Sequence, residues 1–164
     1  MPSDLMTLSL TARSTTPGGI DAVELRGIQT SDRDALATAY LAAYPPGVAA
    51  TSLSDAQQEM DDTFAGEFGV LRHDLTRVAT FENRPVGAIL VVGKSIWDPR
   101  LDGPFIIDLF VHPDVRGMGV GRALLDTAVH AGARAGDATL SLRIGEGTSP
   151  AALALYTRAG FQQH

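Results

Sequence analysis

The stretch VHPDVRGMGVGRALL, residues 111–125, sets Gly117, Gly119 and Gly121 at alternate positions between Arg116 and Arg122. The apolar run PFIIDLFV (104–111) leads into it, and an alanine- and leucine-rich segment follows. This order predicts a buried strand, a glycine loop and a helix. A helix entered this way presents backbone N–H groups without intrahelical acceptors, backed by the positive end of the helix dipole, and so favours an anion. Glycines let an oxyanion approach the backbone without meeting a Cβ. A turn that merely needs positive φ would account for one glycine but poorly for three. Two other anion loops fail on spacing: Gly-Lys-Ser/Thr is missing, and G-M-G-V-G departs from the G-x-G-x-x-G fingerprint.

Outward from the loop, periodicity orders the rest of the chain. VELRGI (23–28) alternates as a short strand, and TSDRD precedes a helix with Ala35, Leu36, Ala39, Tyr40 and Ala43 on its apolar face, ending at Tyr44-Pro45-Pro46-Gly47. A cap at Ser54 opens a second helix, on which Met60, Phe64 and Phe68 recur every four residues. TRVATFENRPVGAILVV (76–92) predicts two strands around a Glu82-Asn83-Arg84-Pro85 turn, the second apolar enough to be central in a sheet. Beyond the loop, residues 120–133 have helical spacing, ATLSLRI (138–144) alternates as a strand, and PAALALYTRAG (150–160) makes a last short helix. The expectation is an α/β (α+β) domain: a mixed sheet flanked by helices on both faces, with the site at the end of the 104–111 strand.

Bulk properties bound the function. At 164 residues the chain suits one domain, here residues 21–164, preceded by a flexible extension, 1–20, in which TARSTTPGG reads as a linker. A net charge of -6 disfavours a nucleic-acid partner, which needs a dense positive face, and fits a cationic substrate better. The absence of cysteine removes thiolate metal sites and cysteine nucleophiles. No metal-ligand spacing appears, and His73, His130 and His164 have no constellation around them. No apolar run reaches membrane-spanning length and the first residues lack a signal-peptide core, so the expected location is cytoplasmic, with no membrane partner.

Arg116-Gly117-Met118-Gly119-Val120-Gly121 matches the R/Q-x-x-G-x-G/A signature of the GNAT acyltransferase superfamily. DLFVHP (108–113) looks like the strand that precedes it there, and SPAALALYTRAGF resembles the family's N-x-x-A-x-x-L-Y-x-x-x-G-F block through Ala152, Leu155, Tyr156, Gly160 and Phe161. The blocks stand in the right order and separation, and the resemblance covers about residues 22–161. It implies a mostly antiparallel GNAT-like sheet and N-acetyl transfer from acetyl-CoA. The pyrophosphate would lie on the backbone of residues 116–122 (Arg116, Gly117, Met118, Gly119, Val120, Gly121 and Arg122), and the pantetheine arm along the strand end, Leu109, Phe110 and Val111. Amides of Phe110 or Val111 would polarise the thioester carbonyl.

Tyr156 is similar in position to the tyrosine that protonates the departing thiolate in much of the family; read alone, it suits an apolar helix face equally well. An ammonium acceptor with a pKa near ~10.4 must lose a proton before attack. Asp108 is the first choice of base, because a carboxylate inside PFIIDLFV demands a partner or a role; a salt-bridged strand residue is the plainer reading. Glu82, in a hairpin turn, and His112, in the loop, are lesser candidates. Ser149 stands where the family most often has asparagine and can still cap a helix beside the CoA. The usual last strand is missing after Phe161, which leaves an edge for LMTLSLTAR (5–13), or for a second copy in a homodimer, to fill.

For the acceptor, the expected walls are the Tyr44–Leu53 loop, the Gly93–Gly103 loop with Trp97, Asp98 and Asp102, and the surroundings of Asp108. An aromatic among aspartates in an acidic chain favours a small cationic primary amine, with a peptide N-terminus or a lysine side chain of a protein as the open alternative that composition does not separate. Transfer would be direct in a ternary complex. The competing class is a regulatory domain that binds acyl-CoA without turnover.

Overall fold

Glu82 and Asn83 both take left-handed backbone, at φ 52° and 64°, and turn Arg77–Phe81 straight back into Arg84–Val92. Two residues at positive φ make the tight hairpin turn whose twist suits paired strands. The turn is thus shorter than expected, because Arg84 and Pro85 already belong to the second strand. Pro85 is accommodated at a register shift that leaves Val86 as an extra residue between the Thr80–Pro85 and Ala79–Gly87 pairs.

The structure, a computed structural model, describes residues 4–11, 22–145 and 147–164. The linker expected at residues 11–19 therefore lies, from residue 12 on, outside the described residues. In chain order the elements are β1 (Leu5–Ser9), β2 (Val23–Arg26), α1 (Arg33–Ala43), α2 (Leu53–Ala65), β3 (Arg77–Phe81), β4 (Arg84–Val92), β5 (Phe105–Val111), α3 (Val120–Ala135), β6 (Thr139–Arg143), α4 (Pro150–Ala159) and β7 (Gln162–Gln163). They build one seven-stranded sheet in the order β2-β3-β4-β5-β6-β1-β7. All its pairings are antiparallel except β5 with β6, which α3 connects.

Both faces are covered. Leu124, Leu125, Ala128 and Val129 of α3 pack with Leu75, Ile89 and Val91 on one side, and Leu36, Tyr40 and Met60 of α1 and α2 pack with Val78, Ala88 and Leu90 on the other. This is why β4 is apolar through nearly its whole length. The cap of α2 is Ser52, not Ser54. Ser52 is extended at φ -154° and its Oγ accepts the Asp55 amide at 3.1 Å, whereas Ser54 falls within the first turn. A bidentate Arg26–Asp32 pair, 2.8 Å at each contact, ties β2 to the turn that starts α1.

β1 fills the sheet position beside β6. It pairs with β6 along its full length, Leu5 with Arg143 through Ser9 with Thr139, and β7 adds only a two-residue border beyond it. Met6, Leu8 and Leu10 are buried in the core under α3. We predict that Leu8→Ala lowers unfolding free energy by about 2–5 kcal/mol, the range for a fully buried leucine; chemical denaturation reads it directly, and a loss near zero would mean that β1 is not a structural strand.

Candidate active site

Two irregularities in β5 create the site. The first is its short partnership with β6: Phe105 pairs with Ser141 and Ile106 with Leu142, and the register ends there. From residue 107 onward, among the described residues, no strand pairs with that side of β5, so the sheet opens into a cleft there. The second is a register shift against β4, where Leu90 pairs with Asp108 and Val91 with Ile106, leaving Ile107 unpaired. Such a bulge resets the alternation of side chains. Ile106, Leu109 and Val111 lie with the α3 core, while Ile107 and Phe110 lie with the α1–α2 core. Strict alternation would have put Asp108 on the same face as Ile106. Instead it turns toward α1 and α2.

There its Oδ1 accepts a 2.5 Å hydrogen bond from the Tyr44 hydroxyl. Burial pushes the Asp108 carboxyl up to about 7; the nearby Glu59 charge adds to this, and donation from Tyr44 and the Leu109 amide opposes it. Tyr44 packs edge-on against Tyr40 at 5.3 Å, and Tyr40 against Phe110 at 5.4 Å. Burial, and then the Asp108 charge, hold both phenols well above the ordinary tyrosine range, so both keep their protons. Tyr156 on α4 is 7% exposed, lies edge-on to Phe161 at 5.9 Å, and is raised by burial and by the same Asp108 charge. The fold thus gathers Tyr156 and Asp108 into one electrostatic neighbourhood. It also adds Tyr44, which the sequence placed only at the start of a loop.

The glycine loop begins with a single turn, Pro113–Val115, capped by His112, whose Nδ1 accepts the Asp114 amide at 3.1 Å. His112 is therefore a loop anchor. Gly117 and Gly119 take φ 82° and 83°, and α3 starts at Val120. Gly121 differs: a Cβ there would meet Leu155 at an ordinary 3.6 Å, so the backbone dictates two of the three glycines. Val120 is buried and Met118 packs on the core. Arg122 is exposed on the first turn, with Asp126 at 3.7 Å. Arg116 instead donates to the Ala43 carbonyl at the C-terminus of α1, where a cation suits the helix dipole. Ser149 caps α4, accepting the Ala152 amide at 3.0 Å. Glu82 sits exposed in its hairpin turn.

Beside Asp108 lies a cavity of about 190 Å³, walled by Tyr40, Phe68, Trp97 and Ile107, with Glu59 and Asp108 as its acidic groups. Trp97 stacks on Phe68 at 6.2 Å and tilts against Phe105 at 5.9 Å. The Ser95 hydroxyl, accepting the Trp97 and Asp98 amides, sets this loop. Asp98 and Asp102, expected in the wall, are not there: Asp98 meets Arg100 and Arg143, and Asp102 meets Lys94. Glu59 takes their place. It reads as part of the polar face of α2, and only the tertiary packing that brings α2 to the wall of this cavity reveals its place. The Tyr44–Leu53 loop lines a second cavity of about 300 Å³ with Ala49, Thr51, Asp55 and Gln58, and Glu59 borders this one also. Among the described residues, no group of three His, Cys, Asp or Glu is placed to hold a metal, and no helix is long and apolar enough to cross a membrane.

The sheet is opened between two parallel strands, and a helix entered through glycines stands at the opening, an architecture that offers an anion site beside a cleft. The model of the acetyltransferase (GNAT) family matches residues 34–161, and the chain belongs to that family. Among solved structures, the GCN5-related N-acetyltransferase from Sphaerobacter thermophilus is similar with a TM-score of 0.71 at 19% identity, over 98% of this chain and 47% of that one. The chain thus spans about half the length of that protein. The ribosomal-protein-S18-alanine N-acetyltransferase from Escherichia coli matches with a TM-score of 0.63 at 24% identity, over 85% of this chain and 77% of that one. AAC(6')-Iy, in complex with the bisubstrate analogue CoA-S-monomethyl-acetylneamine, matches with a TM-score of 0.62 at 12% identity, over 85% and 90%. At these identities the likeness is one of fold. No curated protein matches the chain.

Proposed function

We propose that this chain transfers the acetyl group of acetyl-CoA directly to a primary amine of a small cationic molecule. The observation that carries the reading is Asp108: a bulge turns it into an aromatic-walled cavity, Tyr44 holds it there, and its carboxyl titrates near neutrality within electrostatic reach of Tyr156. A base must be ionised enough to accept a proton and basic enough to want it, and a pKa close to the working pH meets both needs.

The residues present fit CoA. Gly117 and Gly119 leave the first-turn amides of α3 without a Cβ between them and an anion, and β5 beyond Ile106 has an unpaired edge along which the pantetheine arm would lie. Arg122 adds an exposed cation beside them, while Arg116 can join only by leaving the Ala43 carbonyl. When bound, acetyl-CoA supplies the activated acyl group as a thioester. Tyr40 and Trp97 line the cavity around the incoming ammonium, Asp108 takes its proton, and Tyr156 keeps its own proton ready for the departing thiolate. A cavity of about 190 Å³ favours a small acceptor over a peptide.

Thiol release from acetyl-CoA across a panel of amines tests this reading, and CoA binding without release from any of them would make the chain a regulatory domain instead. We also expect Gly119→Val to weaken CoA binding by about tenfold or more, because the left-handed backbone costs about 1–2 kcal/mol in an L-residue and the new side chain crowds the anion. Calorimetry with CoA measures it; unchanged affinity would move the pyrophosphate elsewhere.

A further inference from the structure

Among the described residues, every side-chain carboxylate at least partly withdrawn from solvent has an ion-pair or hydrogen-bond partner, with one exception. Asp32 has Arg26, Asp62 has Gln58, Asp98 has Arg143, Asp126 has Arg122, Asp137 has Arg72 and Asp108 has Tyr44. The exception is Glu59, half-buried on α2; the other partnerless ones, Glu24, Glu67 and Glu82, are exposed and solvated. A carboxylate removed from water without a partner is costly, and the fold keeps one here. Moreover, Glu59 is the residue common to the two cavities. The aromatic cavity also has Asp108 in its wall, and the second has Asp55 and Gln58. Two carboxylates that line one cavity repel each other, and each gains from a cation beside it.

We infer that the acceptor carries two positive groups: one amine at Asp108, beside Tyr40 and Trp97, and a second held by Glu59, which borders both cavities. This rests on the proposed acetyl transfer to an amine, and it names the acceptor class as a diammonium compound. A single ammonium held at Asp108 leaves Glu59 without a partner of its own. A dication relieves both, and its connecting chain lies along apolar walls formed by Met60, Phe68 and Ile107.

The test is calorimetric binding to the full chain, with CoA present, of α,ω-diaminoalkanes of graded length and of monoaminoalkanes of matching length. The expected result is that the best diamine binds about tenfold or more tightly than its monoamine partner, as a charge-assisted contact would give, and that Glu59→Gln collapses this ratio. Glu59→Asp keeps the charge on a shorter arm and should move the optimum to a different chain length. Equal affinities for the two series, or a preference that survives Glu59→Gln, would overturn the inference. Thiol release measured alongside separates the two ideas. Glu59-dependent diamine binding without release sinks acetyl transfer and keeps the anchor, whereas release with no Glu59-dependent preference does the reverse.

Discussion

Asp108→Asn should lower kcat/KM for amine acetylation by about a hundredfold or more, the typical contribution of a positioned base. The wild-type profile should rise as pH climbs through about 7, where the carboxyl gives up its proton, and the variant should lack that limb. A stability signature accompanies it. The folded carboxyl holds its proton to about 7, but in the unfolded chain it is lost near ~3.9, so the folded state binds more protons between those values. Stability from this group is therefore full below the unfolded pKa and declines as pH rises toward the folded one. Asparagine has the same shape and no charge to desolvate. At pH above 7 the variant should be more stable than the wild type, by on the order of 2 kcal/mol, with the gap closing toward pH ~4. Denaturation at both ends of the window, beside the rate profile, decides it. A variant that is as active as the wild type, or less stable at high pH, leaves Asp108 as an ordinary structural carboxylate.

The second large effect is expected from Tyr156→Phe. Removing a proton donor to the leaving thiolate should cut kcat by about 10²-fold or more while KM for the amine stays near its wild-type value, since the ring that packs on Phe161 is retained. CoA affinity, measured separately, should hold. A fall of less than about threefold in kcat would assign the proton to water and leave Tyr156 as a core residue.

How much of this could be read from the residues differs from part to part, for physical reasons. The glycine loop and the helix behind it were legible because backbone conformation and dipole are local, carried by neighbours such as Gly117 and Gly119. The face of Asp108 was not, because the bulge that turns it depends on register with β4, and registers are set between strands. Tyr44 was invisible as a partner, as it stands 64 residues from the carboxyl it holds. Glu59 was hidden by its context: on α2 it alternates with polar neighbours, and only tertiary packing separates a solvated face from a cavity wall. Among the capping serines, Ser52 and Ser54 are equivalent in chemistry, and one amide contact decided between them. Asp98 and Asp102 failed as acceptor groups because arginine and lysine claimed them first, a competition no spacing rule records.

The place of β1 has a consequence for how the molecule assembles. Its hydroxyl contact from Thr7 to Ser141 closes a sequence separation of 134 residues, and its other flank waits for Gln162. During synthesis β1 has no partner strand until β6 has emerged, while Met6 and Leu8 stay apolar and unsheltered. Closure of such a long loop comes late and slowly. The N-terminal strand is thus the clasp of the domain, and yield in a cell should depend on how well those few residues are shielded before β6 appears.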